Sequence, residues 1–356
     1  MKRECDDLFL DELEVIIPNL SARYSGGTAV NRTIAPLIAQ RCNAAWLGVD
    51  RPDGIRGLAW GDLLRLRFRA PKNHAFRIFH ARRNVEMLAG LALKALGFKI
   101  KLIFNSAAQR RHSRYTRLLL AKMDAIVATS EIAQNFLEFP STIIHHGIDV
   151  ETYAPPADRL KAFAASGLPG KYGIGVFGRV RKQKGVDLFV ESMIRLLPRH
   201  PDFTAVVIGL TTADNRAFLE SLKSQVARAG LEKRILFLGE LPIEEVPLWY
   251  KRISIYVFAS RIEGFGLTML EAMAAGNAVV ATRAGAAEIV IEDGKSGVLA
   301  PTGDVEALVA SIEPLMCEPE KALRIGEKAR EVVLRDFNRE REVDEIVGVY
   351  RKLWDA

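Results

Sequence analysis

The feature that most constrains the fold of this chain is a regular alternation of short apolar runs and amphipathic segments in its second half. The apolar runs, four of which end in glycine, span residues 172–178, 203–209, 234–239, 253–260 and 278–285. Segments of helical length lie between them. Alternating strands and helices with glycines at the strand ends are typical of a doubly wound parallel sheet. The second half therefore predicts an α/β, Rossmann-like domain whose ligands lie beyond the carboxyl ends of its strands.

The first half repeats this pattern less regularly. Its candidate strands span residues 13–20, 44–49, 76–81, 100–106, 124–130 and 141–147. A chain of 356 residues is long enough for two domains. We predict one domain over residues 1–168, a second over 169–335 and a cleft between them, joined by the Pro- and Ala-rich segment 153–173. The amphipathic tail 336–356 is predicted to return as a helix to the first domain, because Leu353 and Trp354 need an apolar surface.

Cysteine usage and hydropathy indicate a cytoplasmic protein. Three scattered cysteines, Cys5, Cys42 and Cys317, lack the C-x-x-C spacing of a zinc site and argue against a disulfide framework. Acidic residues stand where a signal peptide needs an apolar run, and no segment has the uninterrupted apolar length of a membrane span.

Basic residues are concentrated in the first half. Residues 51–122 contain 17 lysines and arginines and 3 acidic residues. A solvated face would explain any one of these cations, but so uneven a block favours an anionic partner: nucleic acid, a phosphorylated substrate or acidic lipid. Within the block, Arg65, Arg67 and Arg69 alternate with apolar residues. This alternation predicts either an edge strand protected by charge or a ribbon that contacts a membrane.

Two segments of the second half predict a phosphate site. Arg179 and Lys184 follow the run 172–178 and precede a helix that starts near Val186, so both cations can converge on one anion. A surface loop with several cations is the alternative interpretation. After the run 253–260, Glu263 and Glu271 flank a Gly-Phe-Gly turn in otherwise apolar sequence, where an unpaired carboxylate is costly. A surface ion pair and a favourable helix-dipole position are the alternatives. A ligand rich in hydroxyl groups would supply partners to both carboxylates.

These motifs resemble a known enzyme family. The segments "GRVRKQKG" and, about eighty residues later, "EGFGLTMLE" resemble the paired motifs of retaining glycosyltransferases of family 4. The resemblance extends through residues 272–304 and covers nearly all of residues 170–356. It implies the GT-B fold, in which two Rossmann-like domains with parallel sheets face each other across a cleft and a C-terminal helix crosses back to the first domain.

The resemblance also implies roles for particular residues. Arg179 and Lys184 would hold the diphosphate of a nucleotide-sugar and stabilise it as it leaves. Glu271 would accept hydrogen bonds from the ribose, and Glu263 would bind the transferring hexose, so that Arg179, Lys184 and Glu263 would be the catalytic residues. The donor-binding set is Gly26, Gly27, Arg179, Lys184, Glu263, Phe265, Gly266, Leu267 and Glu271. No D-x-D pair follows a strand, which agrees with a reaction without metal or other cofactor; the resemblance implies retention by front-face attack.

The first half resembles the family more loosely, through the Gly26-Gly27 loop and the segments "DAIVATSE" and "IIHHGIDVETYAP". Many members carry a histidine after the strand that here reads "LIFNSAAQRRH", where this chain has Ser106-Ala107-Ala108. The role of that histidine in contacting the donor sugar is not carried over to His112. The region 105–131 resembles mannosyltransferases of the rhizobial lipopolysaccharide core, which use GDP-mannose. That resemblance implies a lipid A precursor bearing Kdo as the acceptor.

Basic residues at two predicted strand ends suit such an acceptor. Arg82 and Arg83 follow the run 76–81, and Arg110 and Arg111 follow the run 100–106. We predict that these four arginines bind the anionic glycolipid and that the first domain associates peripherally with the inner face of the plasma membrane. A UDP- or ADP-sugar donor, a nucleotide-sugar 2-epimerase, an inactive relative and a basic nucleic-acid-binding or membrane-surface-binding protein are the alternatives. Carboxylates repel phosphate backbones and the basic block lacks interleaved aromatic residues, so nucleic acid is not expected as a partner.

Overall fold

A computed structural model describes residues 8–21 and 26–356 and divides the chain into two compact units. The first unit runs to His146 and also includes Arg339–Ala356, and the second unit is Gly147–Asn338. Each unit contains one parallel sheet covered by helices. The predicted α/β class with two Rossmann-like domains is therefore confirmed.

The first unit contains a seven-stranded sheet of order β3-β2-β1-β4-β5-β6-β7. Its strands are β1 (Val15–Asn19), β2 (Ala44–Gly48), β3 (Arg56–Gly57), β4 (Arg77–Ala81), β5 (Ile100–Ser106), β6 (Ala125–Ala128) and β7 (Thr142–Ile143). Its helices are α1 (residues 8–12), α2 (Gly26–Arg41), α3 (Trp60–Arg65), α4 (Asn84–Ala95), α5 (Arg114–Leu120), α6 (Glu131–Asn135) and, from the end of the chain, α15 (Arg339–Trp354).

The second unit contains a six-stranded sheet of order β10-β9-β8-β11-β12-β13. Its strands are β8 (Tyr172–Phe177), β9 (Phe203–Ile208), β10 (Ile235–Gly239), β11 (Ile253–Phe258), β12 (Ala278–Thr282) and β13 (Val298–Ala300). Its helices are α7 (Arg159–Ala164), α8 (Val186–Leu196), α9 (Arg216–Arg228), α10 (Val246–Arg252), α11 (Leu267–Ala274), α12 (Ala287–Val290), α13 (Val305–Cys317) and α14 (Pro319–Asp336).

The central strands of the second unit are apolar on both faces. Every residue of β9 is buried, as is every residue of β12. The sheet therefore separates two apolar cores, one packed against α8 and α13 and the other against α11 and α14. Continuous apolar runs are what a parallel strand covered on both faces requires, and this is why the sequence predicts these strands well.

The segment 147–168 belongs to the second unit, whereas the sequence places the domain boundary at 168. Ile148 donates a backbone hydrogen bond to Phe337 at 2.9 Å. Phe163 on α7 is fully buried and lies against Gly173 at the start of β8. The predicted linker therefore contains a helix whose apolar face completes the core of the second unit.

The prediction of a strand or ribbon at residues 63–70 is wrong. These residues form the end of α3 and a short 3-10 helix, Leu66–Phe68. Leu63 and Leu66 are buried in the first unit's core, whereas Leu64 and Phe68 are exposed. Apolar residues three apart face the core of a helix, and this spacing prevails over the two-residue alternation that the arginines suggest.

The return of the C-terminal helix to the first unit is confirmed. Tyr350 of α15 shares a buried hydrogen bond of 2.6 Å with Nδ1 of His80 at the end of β4. Trp354 stacks on His74, with ring centroids 4.1 Å apart. In addition, α15 packs along α2. Polar and aromatic contacts therefore fix this helix against the sheet of the first unit.

Removing the hydroxyl of Tyr350 should loosen α15. In the variant Tyr350→Phe, Nδ1 of buried His80 loses its partner, at a cost of about 1–3 kcal/mol. Hydrogen exchange of the full chain should then show faster exchange of α15 amides. Tyr115→Phe, at a half-exposed position, is the matched control and should leave exchange unchanged. Equal protection of α15 in both variants would contradict the role assigned to this bond.

Candidate active site

The predicted donor site lies at the carboxyl edge of the second unit's sheet. The loop 178–185 follows β8, and the loop 259–266 follows β11. Because β8 and β11 are neighbouring parallel strands, their carboxyl ends lie side by side at one edge. The two loops, which are about eighty residues apart in sequence, therefore meet in space.

Hydrogen bonds tie the two loops together. Arg261 donates two bonds to the Asp187 carboxylate, at 2.7 and 2.9 Å, in the planar geometry that strengthens such pairs. The Arg261 amide donates to the Gln183 carbonyl at 2.8 Å, and the Gln183 side chain donates to the Ile262 carbonyl at 3.1 Å. Arg261 and Asp187 lie beside the two predicted motifs, but only their tertiary contact gives them a role, and the sequence alone does not reveal it.

Close approach of the loops requires glycine at position 185. Gly185 has a φ of +68°, and a Cβ atom there would lie 1.8 Å from the Ala259 carbonyl oxygen. A left-handed conformation and the absence of a side chain are both needed. This glycine directly precedes α8 and thus sets the position of its neighbour, Lys184.

Lys184 and Glu263 form an ion pair across the two loops. Their side chains are each less than one-fifth exposed. The Ser260 hydroxyl lies 3.4 Å from Oε2 of Glu263. The structure therefore brings two of the three predicted catalytic residues into direct contact, with each charge serving as the counter-ion of the other.

Arg179 lies beside this pair. It lines a small cavity at the ends of β8 and β11 together with Gly178, Lys184, Ser260 and Thr268. Within the described residues, its guanidinium group has no hydrogen-bond or ion-pair partner. Arg179 is therefore a cation available to an incoming anion, next to a lysine already paired with a carboxylate.

The start of α11 contributes backbone donors. Gly266 has a φ of +110°, a conformation that favours glycine, and Leu267 is the first residue of the helix. In the described part of the chain, neither amide has an acceptor, as expected for the first residues of a helix. The Phe265 carbonyl accepts from the Ala286 amide at 2.8 Å, and the Phe265 ring is buried. Phe265 thereby fixes the turn from which the two amides point.

Glu271 has tyrosine partners that the sequence analysis missed. The Tyr250 hydroxyl donates to Oε2 of Glu271 at 2.8 Å, and Tyr153 also hydrogen-bonds this carboxylate. Burial raises the pKa of Glu271, while the tyrosine hydrogen bonds and the nearby charge of Lys184 act in the opposite direction. The premise that this carboxylate has no partner within the protein is therefore wrong, and its binding of a ligand stays a prediction. No sequence pattern marks Tyr250, which stands in an ordinary amphipathic helix.

In the first unit, two predicted elements meet at the carboxyl edge of the sheet. Gly26 and Gly27 begin α2, which follows β1. Arg83 donates to the Thr28 hydroxyl near the start of α2 and to the Ser21 carbonyl at 3.2 Å. The glycine loop and Arg83 thus lie together, as their positions after neighbouring strands predict.

The other predicted acceptor-binding arginines differ from one another. Arg82 turns inward toward the carboxylates of Glu86 and Glu342, and burial lowers the pKa of its guanidinium group. By contrast, Arg110 and Arg111 are exposed in the loop between β5 and α5. The geometry therefore presents Arg110 and Arg111, rather than Arg82, to a ligand in solution.

His112 lies closer to the sheet edge than the sequence suggests. Its Nε2 atom is 3.3 Å from the Ser106 hydroxyl, at the end of β5. Burial and the charge of Arg110 lower the pKa of His112, which favours the neutral imidazole. His112, six residues after Ser106 in the sequence, thus lies next to the end of β5.

Comparison with known proteins agrees with this architecture. Residues 158–332 match the model of the family described as glycosyl transferases group 1. A lipopolysaccharide core biosynthesis mannosyltransferase, LpcC of Rhizobium leguminosarum bv. viciae, is 46% identical over 344 residues, which is 96% of this chain and 97% of that protein. A second such enzyme, LpsB of Rhizobium meliloti, is 40% identical over 96% of this chain and 98% of its own length.

A solved structure supports the fold over nearly the whole chain. Anabaena Alr3699/HepE, in complex with UDP and glucose, has a TM-score of 0.80 and 19% identity, and the match covers 96% of this chain and 100% of that one. Two parallel-sheet units with these loops define a glycosyltransferase of the GT-B fold. The chain belongs to the glycosyl transferases group 1 family.

Breaking the Arg261–Asp187 pair should impair the site without unfolding the unit. Arg261→Ala should lower kcat/KM by about 10- to 100-fold, because a shift of about 1 Å in a reacting group is sufficient for such a loss. The exchanged variant Asp187→Arg/Arg261→Asp should recover part of this loss. Lys328→Ala breaks an exposed ion pair on α14 and is the control. Wild-type kcat and KM in Arg261→Ala would show that the pair does not position the loops.

Loss of the predicted ligand-binding charges should be more severe. Lys184→Ala and Glu271→Ala should each lower activity by about two orders of magnitude or more, since each removes a side chain that is predicted to bind the donor. Circular dichroism should show an intact fold. Normal turnover in either variant would place the donor site elsewhere.

Proposed function

We propose that the protein is a retaining mannosyltransferase that moves mannose from GDP-mannose onto the Kdo-containing inner core of a lipid A precursor. The full-length similarity to two enzymes named as lipopolysaccharide core mannosyltransferases supports the sugar and the pathway. The single structural observation that carries the proposal is the Lys184–Glu263 ion pair beside Arg179 at the joined strand ends.

This arrangement suggests how donor binding proceeds. A diphosphate carries more negative charge than one carboxylate and can accept several hydrogen bonds, so it competes with Glu263 for Lys184. As Lys184 and Arg179 turn to the diphosphate, the Glu263 carboxylate is released and can accept hydrogen bonds from the mannose hydroxyls. The sugar is then recognised only after the phosphates are in place.

The remaining donor contacts follow from the same geometry. The amides of Gly266 and Leu267 offer hydrogen bonds to a phosphate at the start of α11. Glu271, held by Tyr250, is a hydrogen-bond acceptor for the ribose hydroxyls. Catalysis by these groups is electrostatic: positive charge offsets the negative charge that develops on the leaving nucleotide.

No metal ion is needed in this scheme, because Arg179 and Lys184 supply the positive charge. Front-face attack by the acceptor hydroxyl retains the configuration of the sugar. The leaving phosphate takes the proton of that hydroxyl as the new glycosidic bond forms and the bond to the diphosphate breaks.

The acceptor is an anionic glycolipid. Arg110 and Arg111 are exposed at the carboxyl edge of the first unit's sheet, where they can bind phosphate or carboxylate groups. The enzyme then works in the cytoplasm, peripherally associated with the inner face of the plasma membrane. No helix in the described part of the chain has both the length and the apolar character needed to span a membrane.

A donor screen tests the proposal. Purified protein is incubated with a Kdo-lipid A acceptor and either GDP-mannose, UDP-glucose, UDP-galactose or ADP-heptose, and mass spectrometry detects the product. Transfer is expected from GDP-mannose alone, with EDTA present, and NMR of the product should show the α configuration of the donor. Transfer from another donor would show that the donor is not GDP-mannose. Transfer from none would refute it, and loss of activity with EDTA would refute metal independence.

A further inference from the structure

The short helix α3 and the 3-10 helix that follows it expose an apolar surface that the fold does not require. Three apolar side chains, spaced four residues apart, are largely exposed: Trp60 (59%), Leu64 (64%) and Phe68 (83%). The opposite side of the same segment buries Leu63 and Leu66 in the core of the first unit. A surface helix normally places polar residues opposite its buried side. This segment is therefore apolar on both sides.

Basic side chains border this surface. The Arg67 guanidinium lies 5.3 Å from the centre of the Phe68 ring, and it also approaches Gly97 at the end of α4. Leu96 and Lys99, on either side of that turn, are exposed as well. In the part of the chain that the structure describes, neither Arg67 nor Lys99 has an acidic partner. The apolar side chains are thus bordered by cations that are available to an anionic surface.

Exposed apolar side chains recur on another helix of the same layer. Leu63 of α3, Met87 of α4 and Leu120 of α5 belong to one core cluster, so the three helices cover the same face of the sheet. On the outside of this layer, Leu118 of α5 is 70% exposed and Tyr115 is half-exposed. A layer of helices with repeated apolar and basic side chains fits a broad partner better than a peptide or a small molecule.

We propose that this layer docks onto a lipid bilayer that contains anionic lipid. We call its central part, Trp60, Leu64, Arg67 and Phe68, the α3 face. The three apolar side chains enter the boundary between headgroups and acyl chains, where aromatic side chains are favoured. Arg67 and Lys99 meet the lipid phosphates. The inference rests on the membrane location proposed above and identifies the surface responsible, and it is independent of which sugar is transferred.

A second copy of the chain is a less suitable partner for the α3 face than a bilayer. In a two-fold symmetric dimer, the same patch contacts its own copy. Around such an axis, Arg67 and Lys99 of one copy would face the basic border of the other, and like charges would repel. An anionic bilayer offers both the apolar interior and the opposite charge.

Vesicle binding by the full chain tests the inference. Vesicles of phosphatidylethanolamine and phosphatidylglycerol are sedimented with wild type, with Trp60→Ala/Leu64→Ala/Phe68→Ala, and with a control, Leu160→Ala/Leu323→Ala/Leu334→Ala. The control removes three apolar side chains of 49%, 48% and 42% exposure from the second unit. The α3-face variant should bind at least about tenfold more weakly, because it loses most of the apolar surface that enters the bilayer, whereas the control should bind like wild type. Phosphatidylcholine vesicles should bind wild type more weakly than the anionic vesicles.

Fluorescence provides a local readout. Of the four tryptophans, Trp46 and Trp249 are buried and Trp354 is stacked on His74, whereas Trp60 is largely exposed. Vesicles should therefore shift the emission of Trp60 to shorter wavelength. The shift should be absent in Trp60→Phe, even if that variant still binds. Equal vesicle binding by the α3-face variant and wild type would overturn the inference. So would a wild-type dimer in light scattering that the α3-face variant abolishes, because the occupant would then be a second copy.

Transfer to an acceptor that has no lipid tests the proposed function separately from membrane docking. The α3-face variant should transfer mannose to a soluble Kdo oligosaccharide at the wild-type rate. If wild type transfers mannose to no acceptor, the proposed function fails, whatever the vesicles show. If transfer is normal and vesicle binding does not depend on the α3 face, only the docking surface is refuted.

Discussion

The parallel pairing of β8 with β11 is the constraint on which the proposed donor site depends. It brings the loops after these strands to one edge of the sheet, although they are about eighty residues apart in sequence. Gly185 permits the close approach, and Arg261 with Asp187 makes it rigid. Without this pairing, Lys184 and Glu263 would lie in unrelated loops, and neither would serve as the counter-ion of the other.

The electrostatics of the site follow from this geometry. Partly buried charges are costly unless they are paired, and Lys184 and Glu263 are paired with each other. Arg179 leaves positive charge available to attract phosphate. Glu271 is a contrasting case, because its partners are tyrosine hydroxyls, which hold the carboxylate in one orientation. In the proposed donor binding, the site therefore combines one exchangeable interaction, Lys184 with Glu263, and one fixed interaction, Glu271 with Tyr250.

Much of this fold could be predicted from sequence, for a physical reason. Strands covered on both faces must be apolar throughout, so the runs at β8, β9 and β12 are recognisable in isolation. The prediction of a strand or ribbon at residues 63–70 is wrong because two spacings coexist there. Leu64, Leu66 and Phe68 alternate as in a strand, while the three-residue spacing of Leu63 and Leu66 fits a helix. The roles of Tyr250 and Arg261 depend on tertiary contacts that no local pattern encodes, whereas Arg179, Lys184 and Glu263 stand in recognisable motifs.

The basic block of the first half resolves into groups with different physical roles. Arg77 is almost completely buried, donates to the Leu13 and Leu10 carbonyls, and has a pKa that burial lowers to about 10. Arg83 is engaged with the start of α2. Net charge in sequence therefore overstates the charge available to a partner. The exposed remainder includes Arg110 and Arg111 at the sheet edge and Arg67 beside the apolar side chains of α3. An acceptor that is both anionic and embedded in a bilayer accounts for both groups of exposed arginines, whereas a soluble anion would leave the apolar side chains of α3 without a partner.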